Sequence, residues 1–384
     1  MSSGHIRARG PGSWELKFDA GRDPLTGARI VRYKTIKGAK RDAQRELRAL
    51  LDAVDRGTHT DPGKLTLGDW LDRWMTGRQH TISPKTTERY GELIEKHIKP
   101  KLGAVALAKV TTGVLNEFYA DRLARGRLDG KGGLSPQTVR HLDRLLHRAF
   151  YDAIKQRLLS MNPTDYVERP KVERKAKRSL DDADLQALLG KAEGGRLFAP
   201  LFLILAGGMR RGELLALTWR HVDMTTGQAQ IVHTIEETRS GGLRVKDCKT
   251  AAGRRRVDLP ASAIDVLRRH QIEQKRQHLS LGLGWTADTL IFSDLAGGVW
   301  RPRNFTKAVS ALAKAAGVTF SPHAGRHDHF TRLLQAGVHP KVAQTRAGHS
   351  SISVTMDTYS HATDGMQRVA AEQIDNVLRK FRQD

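Results

Sequence analysis

Gly208-Met209-Arg210-Arg211-Gly212-Glu213-Leu214-Leu215-Ala216-Leu217-Thr218-Trp219 is the stretch on which the fold turns. An apolar run before it, Phe198 to Ala206, predicts a buried helix, and Ser179 is placed to cap the helical region that begins this segment. After it, alternation through Gln230 to Ile235, Leu243 to Lys246 and Arg256 to Leu259 predicts a small antiparallel sheet inside a mostly helical domain. Helices are expected from Ala261, Asn304, Pro322, Pro340, Ile352 and Gly365 onward. The last carries Met366, Val369, Ala370, Ile374, Val377, Leu378 and Phe381 on one face, which either closes its own domain or packs on a neighbouring protomer.

Upstream, residues 171–178 read Lys-Val-Glu-Arg-Lys-Ala-Lys-Arg without apolar periodicity, as an interdomain linker that either crosses a DNA backbone or is simply solvated. Before it lies an all-helical segment, with helices expected near Leu67 to Met75, Pro84 to Ile98, Gly113 to Ala124 and Pro136 to Leu159, the last stopped by Asn162-Pro163. Ser83-Pro84 and Ser135-Pro136 each place a capping hydroxyl before a proline suited to the first turn. Leu67, Trp70, Leu71 and Trp74 form one apolar stripe, so the tryptophans are read as core rather than as base-stacking groups. At the start of the chain, alternation in Ser13 to Phe18 and Ile30 to Ile36 about an Asp23-Pro24 turn predicts a hairpin. Ala43, Leu47, Leu50, Leu51 and Val54 then predict an amphipathic helix over Lys40 to Asp55, ended by Gly57 and Asp61-Pro62-Gly63.

The 384 residues carry 65 Lys and Arg against 41 Asp and Glu, a formal net charge of +24. A pI near 10.4 points to a polyanionic partner. The excess is spread along the chain: +5 over residues 1–62, +7 over 63–170 and +12 over 171–384. Cationic segments of this kind suit several faces tracking one phosphate backbone, where a single basic tail would suit a tether. One cysteine, Cys248, excludes an internal disulfide and favours a reducing cytosol; it is read as a bystander. No uninterrupted apolar stretch suggests a membrane span, and the polar start resembles no signal peptide.

No Gly-x4-Gly-Lys-Ser/Thr loop supports ATP use. His323 and His327 stand four apart, but Ala324 occupies the place of the glutamate in a zinc-binding His-Glu-x-x-His, so neither a metal nor any other cofactor is expected. What remains is a set of cationic and imidazole groups ending in a tyrosine: Arg210, Lys249, His323, Arg326, His349 and Tyr359. Guanidinium forks suit the nonbridging oxygens of a phosphodiester under attack, and two of them can take the place of a metal. An alkoxide leaving group needs an acid such as Lys249, and a phenol of pKa about 10 needs a base or a cationic field.

In order and spacing these residues resemble the tyrosine recombinases, most closely the phage-type integrases. Gly212 to Trp219 and Gly348 to His361 are the most specific stretches. The resemblance implies a multidomain, mainly α fold with small antiparallel sheets: an N-terminal three-stranded-sheet-plus-helix module binding arm-type DNA (1–62), a helical-bundle core-binding domain (63–170) and a mixed α/β catalytic domain (171–384). It implies Tyr359 as the nucleophile forming a 3′-phosphotyrosine, Arg210 and Arg326 as the phosphate clamp, and Lys249 as the acid for the departing 5′-oxygen. His323 would be an acid/base near the nucleophile, His349 would support the phosphate, and Glu213 would buttress Arg210.

The partners so implied are double-stranded attachment sites, a homotetramer in the synaptic complex, a directionality factor and a host DNA-bending protein, with a cytoplasmic location. Arg211, Arg254, Arg255, Lys175, Lys177 and Arg178 are the DNA-contact candidates, Arg254 to Arg256 being otherwise an exposed strand end. His327 is read as making a structural hydrogen bond. Gly207, Ala324-Gly325 and Ala347 depart from the usual pattern, and Gly325 within a helix is expected to cost about 1 kcal/mol and to loosen Arg326. The rival reading is an architectural or regulatory DNA binder that kept the fold and lost the reaction.

Overall fold

The computed structural model describes residues 3–22, 29–55, 65–173, 179–248 and 253–349, and beyond them 351–352, 371–372, 374–375 and 378–379. The chain divides into two compact units, Met1–Glu173 and Arg174–Asp384. No helix among the described residues is long and apolar enough to cross a membrane.

The first unit opens with β1 (Gly4–Gly10), β2 (Ser13–Arg22) and β3 (Arg29–Lys37), an antiparallel sheet in the order β1-β2-β3, followed by α1 (Lys40–Asp55). Alternation on β2 turns Leu16 and Phe18 onto Ala43 and Leu47 of α1, which makes a small core of its own. The expected hairpin is thus β2-β3, while the third strand, β1, has almost no apolar pattern and is held by its ladder, from Gly4 opposite Phe18 to Ala8 opposite Trp14. A Cβ on Gly4 would stand 2.7 Å from Leu47 Cδ1, so a larger residue there would make the end of the Leu47 side chain shift. The Asp23-Pro24 turn and the Asp61-Pro62-Gly63 terminator lie outside the described residues.

A second core in this unit is entirely helical: α2 (Leu67–Arg78), α3 (Pro84–Leu93), α4 (Lys99–Leu102), α5 (Thr112–Arg125) and α6 (Pro136–Lys155). Ser83 and Ser135 cap α3 and α6 by accepting the backbone N–H groups of Thr86 and Thr138. Trp70 and Trp74 are buried, and their indoles donate to Ala149 O at 3.1 Å and Asp152 Oδ2 at 2.8 Å, as core residues must when they carry a polar handle.

Two expectations need correction here. The helix from Pro84 does not run regularly to Ile98 but passes into a π-helical turn over Ile94–Ile98. The helix from Pro136 ends at Lys155, before Leu159, because Arg157 takes a left-handed conformation (φ 57°). Asn162 organises the following turn rather than stopping the helix, its Oδ1 accepting from Thr164 N at 3.1 Å.

The second unit packs α7 (Asp182–Ala192), α8 (Phe198–Gly207), α9 (Arg211–Leu215), α10 (Ala261–Ser280) and α11 (Pro302–Ala315) around one core with the strands β4 (Val222–Asp223), β5 (Gln228–Ile231), β6 (His233–Thr238), β7 (Gly242–Asp247) and β8 (Arg255–Asp258). The strands form two sheets, β4-β5-β8 and β6-β7, where one was expected. The cap of α7 is Asp181 and not Ser179, whose hydroxyl donates to Asp328 Oδ1 at 3.0 Å. α12 (Pro322–Gln335) lies against α8, and α13 (Pro340–Ala347) follows it. The helix expected from Ile352 lies almost wholly outside the described residues; of the one expected from Gly365, residues 371–372, 374–375 and 378–379 are helical.

Candidate active site

Two left-handed glycines build the site. Gly208 closes α8 at φ 62° and Gly348 closes α13 at φ 62°, and each turn leaves carbonyls at its helix end that need donors. Two arginines supply them. Arg326, on α12, donates from Nη1 to Gly208 O at 2.7 Å and from Nη2 to Ala347 O at 2.6 Å. Arg210, at the N-cap of α9, donates from Nη2 to Gly348 O at 3.1 Å. Each guanidinium is therefore held by a turn distant in sequence. A Cβ on Gly208 would lie 2.4 Å from His329 Cδ2, which with its positive φ leaves no alternative to glycine.

Glu213 is the one carboxylate in this cluster among the described residues. It lies three residues into α9, where its Oε2 accepts the Arg210 N–H at 2.9 Å and its Oε1 accepts Arg210 Nη1 at 2.7 Å. Arg255 holds it from the other side, with Nη2 to Oε2 at 2.8 Å and Nη1 to Oε1 at 3.2 Å. Burial alone would raise the Glu213 carboxyl, but hydrogen bonds and charge from Arg255 and Arg210 outweigh it and hold the group below the usual glutamate value. Three guanidiniums against one carboxylate leave the cluster strongly cationic.

Burial first, then the charges of Arg210 and Arg255, lower Arg326 to about 9, so it stays protonated at neutral pH. Burial and the Arg326, Arg210 and Arg255 charges push the His349 imidazole down to about 4. It is neutral at pH 7, and its Nε2 accepts from Arg326 Nη2 at 3.1 Å. His323 is exposed in the first turn of α12, behind the Ser321 cap.

Arg210, Glu213, Arg326 and His349 are thus brought together, with His323 one turn from Arg326 on the same helix. Lys249, Tyr359, Lys175, Lys177 and Arg178 lie outside the described residues. Arg211 is exposed and donates to Thr306 Oγ1 at 2.6 Å, and Arg254 is exposed and paired with Asp247 at 2.6 Å.

Arg255 corrects the expectation of a DNA contact: its side chain is 4% exposed and its fork is occupied by Glu213. Strand parity carried the signal, since Arg255, Val257 and Leu259 share the inward face that Arg254 and Arg256 do not. Gly325 corrects another. A Cβ there would meet Phe320 Cζ at 2.6 Å and Ile204 Cγ2 at 2.8 Å, so the glycine brings α12 close to α8, and Arg326 beside it is anchored rather than loosened.

His327 shares a hydrogen bond with Thr331 Oγ1 at 3.2 Å, one turn along α12. Sequence reasoning missed Arg346, which reaches Ala206 O at 3.0 Å, Asp258 O at 2.9 Å and His329 Nε2 at 3.0 Å, because nothing local marks it out from other surface-helix arginines. No group of three or more metal-capable side chains occurs among the described residues.

The phage integrase family matches residues 178–366, and the N-terminal SAM-like domain of phage integrases matches residues 66–122. An integrase of Streptomyces ambofaciens is 26% identical over 378 residues, covering 96% of this chain and 94% of its own. The tyrosine recombinase XerD of Pseudomonas putida is 30% identical over 252 residues, covering 64% of this chain and 76% of its own. Among solved structures, the Tn1549 transposon integrase bound to a circular intermediate DNA shares the fold with a TM-score of 0.70 at 23% identity, over 81% of this chain and 99% of that one.

Proposed function

This chain belongs to the phage integrase family of tyrosine recombinases, and from that premise we propose that it integrates or excises a mobile element through a covalent 3′-phosphotyrosine at Tyr359. It is a site-specific recombinase, an enzyme that breaks and rejoins DNA. The observation that carries the chemistry is the pairing of Arg210 and Arg326 across the Gly208 and Gly348 turns. A phosphodiester placed there meets two preorganised guanidiniums as charge gathers on its nonbridging oxygens. The bonds described engage two of the five side-chain donors of Arg210.

In this reading the Tyr359 oxygen attacks phosphorus and the P–O bond to the 5′-oxygen breaks. Lys249 delivers the proton that the departing oxygen takes up, while His323 serves as acid/base near the nucleophile. His349, uncharged, supports Arg326 without adding to the repulsion among the arginines. The phosphotyrosine conserves the ester linkage, so attack by a 5′-hydroxyl rejoins the strand without a nucleotide cofactor.

The sheet-and-helix module, the helical bundle and the second unit correspond in this proposal to an arm-type DNA module over 1–62, a core-binding domain over 63–170 and a catalytic domain over 171–384. Two duplexes cut on both strands need four tyrosines, which a homotetramer supplies. The exposed Ile374 and Leu378 near the C-terminus suit packing on a neighbouring protomer. Its place is the cytoplasm, on DNA, with a directionality factor and a host DNA-bending protein as accessory partners.

A nicked suicide substrate tests this. The wild-type chain should give a protein–DNA band that survives denaturation in EDTA, and Tyr359→Phe should give none while binding DNA nearly as well. An adduct retained by Tyr359→Phe would refute the nucleophile, and no adduct from the wild type would favour a non-enzymatic DNA binder.

A further inference from the structure

Arg255 is charged, 4% exposed and has no part in the chemistry just described. Its three side-chain nitrogens reach three parts of the second unit. Nη1 and Nη2 grip Glu213 of α9, Nη1 also donates to Gly253 O at 3.2 Å, and Nε donates to Arg346 O at 2.7 Å, on α13 two residues before the Gly348 turn. Glu213 in turn accepts both the backbone N–H and the Nη1 of Arg210. One guanidinium therefore sits behind both edges of the phosphate site, the edge that carries Arg210 and the edge that leads to His349.

We propose that Arg255 is a positioning residue of strand cleavage: through Glu213 it fixes where Arg210 meets the phosphate, and through the Arg346 carbonyl it ties that placement to the turn carrying His349. This rests on the recombinase reading and on the role given there to Arg210.

The alternatives are weaker. A phosphate contact does not fit, because Glu213 and the carbonyls of Gly253 and Arg346 take up all three side-chain nitrogens of Arg255. A plain stability role is a poor account, because a buried ion pair gives up in desolvation much of what it gains, and an apolar replacement does as well. What an apolar replacement cannot do is hold a carboxylate in one orientation with a planar fork.

The charged and titratable groups around Glu213 among the described residues are Arg210 before α9, Arg255 on β8, Arg326 on α12, His349 after α13 and Cys248 after β7. The two arginines that bond it oppose burial, and Arg255 makes two of the three side-chain bonds. Without Arg255, burial dominates and the carboxyl rises above its ordinary value. A protonated Glu213 keeps a carbonyl oxygen but loses the charge that holds Arg210. Cleavage then falls as pH drops through that raised value and recovers above it, a step that the wild type, with its depressed Glu213, does not show in the neutral range.

The test uses the full chain and the nicked substrate, with single-turnover cleavage, DNA affinity and thermal midpoint measured for Arg255→Gln, Arg255→Lys and the double variant Arg255→Gln/Glu213→Gln. Arg255→Gln should cleave roughly 10- to 100-fold more slowly near neutral pH, the usual cost of removing a group that orients a primary ligand. Affinity should hold. The deficit should widen as the pH is lowered and shrink as it is raised and Glu213 ionises, and adding Glu213→Gln should erase that step. Arg255→Lys, which keeps the charge but not the fork, should be slow without the pH step, and it serves if the glutamine variant does not fold.

Wild-type cleavage by either Arg255 variant, a matched loss of affinity, or a pH-independent loss that tracks the thermal midpoint in both would overturn the assignment. A wild type that forms no adduct would instead bring down the recombinase reading on which it stands.

Discussion

Arg326 shows how backbone carbonyls can set the plane of a charged side chain. Its two terminal nitrogens bridge Gly208 O and Ala347 O, so the plane of the guanidinium is set by two helix ends before any DNA arrives. A lysine keeps the charge but has one nitrogen and no plane, and cannot span both carbonyls. Arg326→Lys should therefore slow cleavage by about 100- to 1000-fold, the range found for losing one preorganised donor, with DNA affinity little changed. A gel-based cleavage assay beside a binding titration separates the two; parallel losses would mean that the residue only anchors DNA. His329, buried under the same turn, gives a stability prediction. Burial and then the Arg346 charge lower it to about 4, and its Nδ1 donates to Leu205 O at 2.7 Å while its Nε2 accepts from Arg346. The unfolded chain binds this proton near pH 6.5 and the folded chain near 4, so stability is whole above about 6.5 and is lost as pH falls toward 4, by up to about 3 kcal/mol. Urea unfolding against pH checks it: His329→Gln should be weaker at pH 7 but show a flatter acid limb. At this scale the motif residues Arg210, Glu213, Arg326 and His349 were legible because chemistry restricts their types. Arg255 was misread because its three-arginine run was weighed as charge, when its parity with Val257 and Leu259 already placed it inside.

The contact between α8 and α12 decides whether those side chains meet, and Gly325 decides the contact. Replacing it by alanine gains about 1 kcal/mol of helix propensity. The new methyl would sit 2.6 Å from Phe320 Cζ and 2.8 Å from Ile204 Cγ2, both side chains buried, and overpacking of this kind costs about 1–3 kcal/mol. Overpacking wins, so Gly325→Ala should lower the thermal midpoint and slow cleavage by displacing Arg326. Adding Ile204→Val should restore part of both. An unchanged or raised midpoint would show that the helices have slack. Elements with strong local signals were readable from sequence: the proline-started, serine-capped helices α3 and α6 begin where the pattern puts them, and α1 spans the expected Lys40–Asp55. The π-helical turn at Ile94–Ile98, the split of the strands into two sheets and the strand Gly4–Gly10 were not. The sheet split and the strand Gly4–Gly10 are decided by ladder pairing, and the π turn by a local i→i+5 shift of the helix bonds, and neither leaves a hydrophobic period of its own.

Across the whole molecule, the cationic excess is carried by every segment, and the first 62 residues hold +5 of it around a core that shares no residue with the helical bundle after it. That module contains none of the residues placed in the cleavage site. If it is a second DNA contact, its value lies in tethering: once the rest of the chain is bound, the module searches a small volume, and a site carrying both elements is held far more tightly than either alone. Part of that gain is counterion release, which salt opposes. Deleting residues 1–62 should leave binding and cleavage of a short core site intact. It should weaken binding of a full attachment site, make that binding less steeply salt-dependent, and impair recombination. Gel shifts at several salt concentrations and a recombination assay, run on core-only and full-site DNA with both proteins, read each outcome. If the truncated chain loses core-site binding as well, the module supports folding or core-site contact by the rest of the chain, and the arm-type role falls.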